Sequence, residues 1–202
     1  LDNIFISFTL LAIFSYIVGS INSSITFSRI FKMQDPRSYG SKNPGATNIL
    51  RTGNKILAAS ILIIDILKGL FPTLLAYYTL ENILYIQIIG IIAVIGHIFP
   101  VFYSLKGGKG VATALGAILG FDIILGFICL FTWLITAFLF RYSALSAIVS
   151  FTFLPIYTWF SYESIVITSV YLVLSIIVIY KHKTNIKNLL NNEETKIGKN
   201  NK

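Results

Sequence analysis

The sequence predicts an all-α fold: a polytopic bundle of about seven transmembrane helices with the N-terminus outside and the C-terminus inside. Three observations carry this. The 202 residues are 55% hydrophobic and only 12% charged, the balance of a membrane protein rather than a soluble domain. Apolar runs approaching the roughly 20 residues that a spanning helix needs recur along the chain. All Lys and Arg except Lys68 flank those runs or lie in the tail.

The apolar segments are 4–31, 55–79, 83–103, 111–121, 122–140, 144–160 and 164–180. The first is too long for the apolar core of a signal peptide and is expected to be a retained span. It carries Gly19, Ser20, Asn22, Ser23, Ser24 and Ser28, small and polar residues that either let helices pack closely or line a cavity. The second holds Asp65 and Lys68, each costing about 2.5–3.5 kcal/mol at a helix centre on insertion scales. Three residues apart, they can pair, either to fix packing or to serve function. Segment 111–121 is short, and 111–140 as one helix would leave six spans. Charge favours seven. Loops 32–55, 104–110, 141–143 and 181–202 then share one side and hold most of the Lys and Arg, whereas the opposite connections hold Asp2, Glu81, Asp122 and Glu163 and no basic residue.

No separate soluble domain fits, so 1–202 reads as one membrane domain. Its tail, 181–202, spaces Ile186, Leu189, Leu190 and Ile197 for one helix side with Lys183, Lys187 and Lys196 alongside, as in a short interfacial helix. Residues 198–202 are expected to be disordered. Cys129 lies inside an apolar run and reads as a packing residue without a disulfide. The net charge of +8 sits on one face of the bundle, which fits anionic lipid or substrate and excludes nucleic acid as the reason for it.

Two glycine-rich basic loops stand out. One runs from Tyr39 through Gly40, Ser41, Lys42, Asn43, Pro44, Gly45, Ala46, Thr47 and Asn48 to Arg51; the other runs from Gly96-His97 through Lys106, Gly107, Gly108, Lys109 and Gly110. Glycine lets a backbone approach a ligand, and successive N–H groups can form an anion-binding concavity. Arg51 offers a fork suited to phosphate. The alternative for the first loop is simple turns, with Thr47 or Asn48 capping the next helix. The second is not a Walker A loop, because Gly110 rather than Ser or Thr follows Lys109. His97 reads as an interhelical hydrogen-bonding group or a binding residue. Neither His97 nor His182 has Asp five residues on; Phe102 and Lys187 stand there, so His-x4-Asp acyltransferase chemistry is absent. His182 and Asn185 fall on one helix face. Glu194 is either a solvated charge or an anchor of the tail to a basic loop. No metal-ligand spacing appears, and no cofactor is expected.

Together these loops, with His182, Asn185-Ile186 and Glu194, resemble the three motifs of the acyl-phosphate-dependent glycerol-3-phosphate acyltransferases, in order and over nearly the whole chain. The Asp65-x-x-Lys68-Gly69 run is also similar to a family segment. Lys42 departs from that pattern, where glycine is common, as do Lys181 and Asn188, where arginines are usual. The resemblance implies a seven-span enzyme of the bacterial inner (cytoplasmic) membrane, with a periplasmic N-terminus and an active site on the cytoplasmic side. It would transfer a fatty acyl group from acyl phosphate to the 1-position of glycerol 3-phosphate, giving lysophosphatidate for phospholipid synthesis. Its partners would be those substrates, membrane lipid and a soluble enzyme producing acyl phosphate. By the same resemblance Ser41, Gly45 and Lys109 would hold acyl phosphate and the oxyanion; Arg51, Lys106, Gly107 and Gly108 would hold glycerol 3-phosphate; His182 and Asn185 would position substrates. Gly40, Asn43, Thr47, Asn48, His97, Gly110 and Glu194 would complete the binding residues. A transporter of an anionic solute would instead need its basic groups near the midplane, and a scaffold for lipid enzymes would leave Gly107 to Gly110 unexplained.

Overall fold

The computed structural model describes residues 2–198 and is helical throughout, with no strand among those residues. Residues up to Phe121 form one compact unit and Asp122–Ile197 a second. The expectation for 199–202 lies outside the described residues.

In the first unit the helices are α1 (Asp2–Ser20), α2 (Ser23–Ile30), α3 (Ala46–Leu50), α4 (Lys55–Thr79), α5 (Ile83–Ile98) and α6 (Val111–Phe121), with a 3-10 turn at Val101–Tyr103. Helix α1 packs on α5, and α4 on α5 and α6. Crossings are close because glycines face backbone. A Cβ on Gly69 would stand 1.9 Å from the Thr113 carbonyl oxygen, and one on Gly19 2.2 Å from that of Ala93, so these helices meet without side chains between them.

The segment 4–31 is not one helix. It breaks at Ile21–Asn22, and the Asn22 side chain caps α2 by accepting from the Ile25 amide at 3.0 Å. Asn and Ser compete with the helix ladder for backbone groups, and four of the five residues over 20–24 are Asn or Ser, the N-cap among them. Segment 83–103 also stops early, at Ile98, because Pro100 cannot continue a helix.

The second unit holds α7 (Ile123–Phe140), α8 (Ser143–Tyr162), α9 (Ile165–Lys181) and α10 (Lys183–Leu190). Asp122 caps α7, accepting from Ile124 and Leu125 amides at 2.8 and 3.0 Å, and receives the Tyr162 hydroxyl. The stretch 111–140 is therefore two helices. Helix α10 bends away from α9 by 59°. The tail helix ends at Leu190, short of Ile197. The Ile197 amide instead donates to the Arg141 carbonyl at 2.6 Å, and Lys196 lies over the Tyr142 ring at 5.5 Å.

Among the described residues five helical stretches are long and apolar enough to cross a membrane, and α9 with α10 gives a sixth if the bent pair counts as one. Helix α6, with 11 residues, extends about 16 Å and is too short to span alone. The outer faces are apolar, with Phe138 and Phe160 largely exposed, whereas Ser15, Ser24, Thr73, Thr113 and the Asp65–Lys68 pair are buried. This is an integral membrane protein.

Candidate active site

The first loop is organised by one side chain. Asn48, in α3, is buried; its Oδ1 accepts from the Ser41 amide at 3.0 Å, and its Nδ2 donates to the carbonyls of Pro36 at 2.8 Å and Tyr39 at 3.2 Å. It does not cap the following helix; Asn54 does, accepting from Leu57. Ile49 packs on Leu57, Ala58 and Ile61 of α4, which fixes α3 and the loop above it. Gly40 and Lys42 are both left-handed, at φ 55° and 56°. Arg51 follows α3 with its side chain next to Gly40 and makes no ion pair among the described residues. Ser41 and Thr47 are exposed and Asn43 partly so. Gly45, the N-cap of α3, is extended, and its amide donates to the Asn43 carbonyl at 3.0 Å. By contrast Arg37 is committed, its guanidinium donating to Asp35 at 2.7–3.2 Å. That bond holds the Asp35 carboxyl below the usual carboxylate range.

The second loop is organised by backbone. The Gly107 amide donates to the Ile98 carbonyl at 3.2 Å, and the Gly108 amide to the His97 carbonyl at 3.1 Å. These two N–H groups thus satisfy the C-terminal carbonyls of α5 instead of forming the open concavity expected for successive glycines. Gly110, at φ 87°, turns into α6 and its carbonyl accepts from Ala114. Lys106 is exposed and Lys109 partly buried. Beneath the loop lies His97, buried with Asp65 and Lys68. Lys68 Nζ is 2.8 Å from Asp65 Oδ1 and donates to the Ile21 carbonyl, freed by the helix break, at 2.9 Å. Ser23 donates to the same Asp65 oxygen at 2.6 Å, and His97 Nδ1 stands 3.8 Å from it. The pair predicted in the second span therefore forms.

Both loops belong to the first unit, and Tyr103, just ahead of the second glycine run, touches helix α2, which precedes the first loop. Its hydroxyl is 2.6 Å from Thr26 Oγ1, and Arg29 lies 5.4 Å over its ring. Helix α2, carrying Thr26 and Arg29, leads into the first loop; Tyr103 opens the second. Nothing in the composition marks Tyr103, because one tyrosine among 11 carries no spacing signal.

In the second unit His182 joins α9 to α10 and is buried, with Nδ1 2.8 Å from the Val178 carbonyl. A carbonyl only accepts, so Nδ1 carries the proton. Asn185 donates to both Glu194 oxygens at 2.9 and 3.0 Å, and Asn188 reaches one of them at 3.5 Å. Glu194 is thus neither a free solvated charge nor bound to a basic loop; it ties the tail back to α10. His182 and Asn185 lie at the junction and in the first turn of α10, rather than along the face of one continuous helix.

The model of the glycerol-3-phosphate acyltransferase family matches residues 9–192. The chain belongs to that family. It is 46% identical over 194 residues to the glycerol-3-phosphate acyltransferase of Francisella tularensis subsp. holarctica, covering 96% of this chain and 94% of that one. It is also 46% identical over 197 residues to the glycerol-3-phosphate acyltransferase of Nitrosomonas eutropha, covering 95% and 98%. The fold is similar to crystal structures of PlsY, an integral membrane glycerol 3-phosphate acyltransferase. The TM-score is 0.90 with its glycerol 3-phosphate form, at 32% identity over 95% of this chain and 96% of that one. With its lysophosphatidic acid form the TM-score is 0.87, at 31% identity and the same coverage.

Proposed function

We propose that this family member transfers a fatty acyl group from acyl phosphate to the 1-hydroxyl of glycerol 3-phosphate, on the cytoplasmic side of the bacterial inner membrane. The observation that carries the reading is Arg51. It stands beside Gly40 on a loop braced by Asn48, without an ion pair among the described residues, in a chain whose relatives act on glycerol 3-phosphate. The Lys and Arg distribution supports the cytoplasmic side.

Acyl phosphate is a mixed anhydride. The hydroxyl oxygen attacks the acyl carbon, the bond from that carbon to the phosphate oxygen breaks, and phosphate leaves with the electron pair. A substrate phosphate oxygen takes the hydroxyl proton. No covalent enzyme intermediate is needed, so the protein supplies orientation and charge stabilisation. Ser41, Gly45 and Lys109 are assigned to acyl phosphate and the oxyanion, and Arg51 and Lys106 to glycerol 3-phosphate. Within the second unit Asn185 is itself held by Glu194. A soluble enzyme that makes acyl phosphate supplies the donor.

Purified protein incubated with glycerol 3-phosphate and, in turn, acyl phosphate, acyl-CoA or acyl carrier protein tests this. Lysophosphatidate should form with acyl phosphate alone. Arg51→Ala should raise KM for glycerol 3-phosphate about 10- to 100-fold, the worth of a charged hydrogen bond, and Ser41→Ala and Lys109→Ala should lower turnover. Near-normal rates in all three variants, or product from acyl-CoA alone, would refute it.

A further inference from the structure

The polar cluster under the second loop is not explained by substrate binding. Its members are buried in the helices, and its upper edge is the His97 ring, 4% exposed. A Cβ on Gly108 would lie 2.1 Å from Nε2, 2.9 Å from Cε1 and 3.1 Å from Cδ2 of that ring. It would rest on the ring itself. The ring has little room to retreat: Asp65 Oδ1 is 3.8 Å from its other nitrogen, Lys68 and Ser23 hold that carboxylate, and the His97 carbonyl already accepts from the Gly108 amide. The adjacent glycine differs. A Cβ on Gly107 would meet the His97 carbonyl oxygen at 2.0 Å and Pro100 Cδ at 2.6 Å, neither of which a change of the histidine side chain can move.

We propose that His97 is a positioning residue whose ring, set beside the Asp65–Lys68 pair, is the seat of the glycine loop, and that residue 108 is glycine because of this ring. The height of the loop over the ring then sets where Lys106 and Lys109 present their charge. The proposal rests on the reading above that these lysines hold substrate phosphate. It turns the usual logic of a glycine loop over: the close approach that excludes a side chain comes from beneath, from protein, and not from a ligand above.

The two explanations make opposite predictions for a double variant. If the ring excludes a side chain, trimming it makes room. Gly108→Ala should lower the thermal midpoint in detergent and raise KM for glycerol 3-phosphate by about tenfold, the scale of an overpacked core contact, with a smaller change in kcat. In Gly108→Ala/His97→Ala both quantities should return to those of His97→Ala alone. Gly107→Ala should be impaired equally with and without His97→Ala. The proposal is overturned if Ala at 108 carries the same penalty in both backgrounds, or none in the native one. If Gly108→Ala yields no folded protein, recovery of folded protein in the double variant supports the proposal and its continued absence refutes it. The thermal arm does not depend on catalysis. An inactive native protein would therefore defeat the proposed reaction, while the melting cycle would still decide whether His97 seats the loop.

Discussion

The two glycine loops of the first unit look alike in sequence and are built on opposite plans. In the first, glycine answers a conformational demand together with a movable side chain: Gly40 is left-handed, a Cβ on it would stand 2.4 Å from Asn48 Oδ1, and Asn48 gathers the turn by bonding three backbone groups. In the second, Gly107 and Gly108 answer a steric demand. Their own amides bond the end of α5, and no room exists for a Cβ against His97. A conformational demand costs about 1–2 kcal/mol and can be met by other residues; a backbone in the way cannot. The composition of a glycine loop therefore does not reveal whether ligand, fold or torsion requires it.

The largest effect should come from below the second loop. Asp65→Asn leaves Lys68 buried without its counter-ion, which costs about 3–5 kcal/mol in known buried pairs. Replacing both, as Asp65→Asn/Lys68→Met, should recover most of that. Hydrogen exchange read by mass spectrometry should rise at 107–110 and stay unchanged at 40–48 in the single variant. An equal rise in both loops would erase the distinction drawn here.

Next in size is Gly40→Ala. The left-handed torsion adds about 1–2 kcal/mol for a residue with Cβ, and that Cβ would stand 2.4 Å from Asn48 Oδ1. Asn48 would have to release the Ser41 amide. Both a lower thermal midpoint and a higher KM for acyl phosphate are expected; a variant unchanged in both would show that Asn48 does not govern Ser41.

Much of this was legible in the chain. The apolar segments correspond to the long helices, the Asp65–Lys68 spacing foretold the buried pair, and Asp122 marked the break within 111–140. The first span misled because hydropathy does not register caps: Ser20 to Ser24 suit a lipid-embedded helix interior and a helix start equally well, and only the fold shows Asn22 bonding Ile25. The reason for Gly107 and Gly108 was hidden for a related cause. Sequence places them near lysines, whereas their constraint is His97, ten or more residues earlier and brought under them by the turn at Pro100. Glu194 bonding Asn185 was likewise a tertiary contact without a periodicity to announce it.

The smallest effect separates the plans most cleanly. Lys42 occupies the same left-handed region as Gly40 and is exposed. A Cβ there costs about 1–2 kcal/mol, while glycine gives back about 0.4–1 kcal/mol through the entropy of the unfolded chain. Lys42→Gly should therefore raise stability by about 0–1.6 kcal/mol on that balance. Lys42→Ala keeps the torsional cost and should show no gain. Equal melting temperatures for the two would show that the torsion is not strained. The same pair of variants isolates charge, since both remove it. If Lys42 draws phosphate to the loop, both should raise KM for the anionic substrates at low ionic strength, and the difference should fade as salt shortens the screening length to about 8 Å and below. If KM is unchanged at every salt concentration, Lys42 is a tolerated passenger at a glycine position. The second loop leaves no such latitude at Gly107.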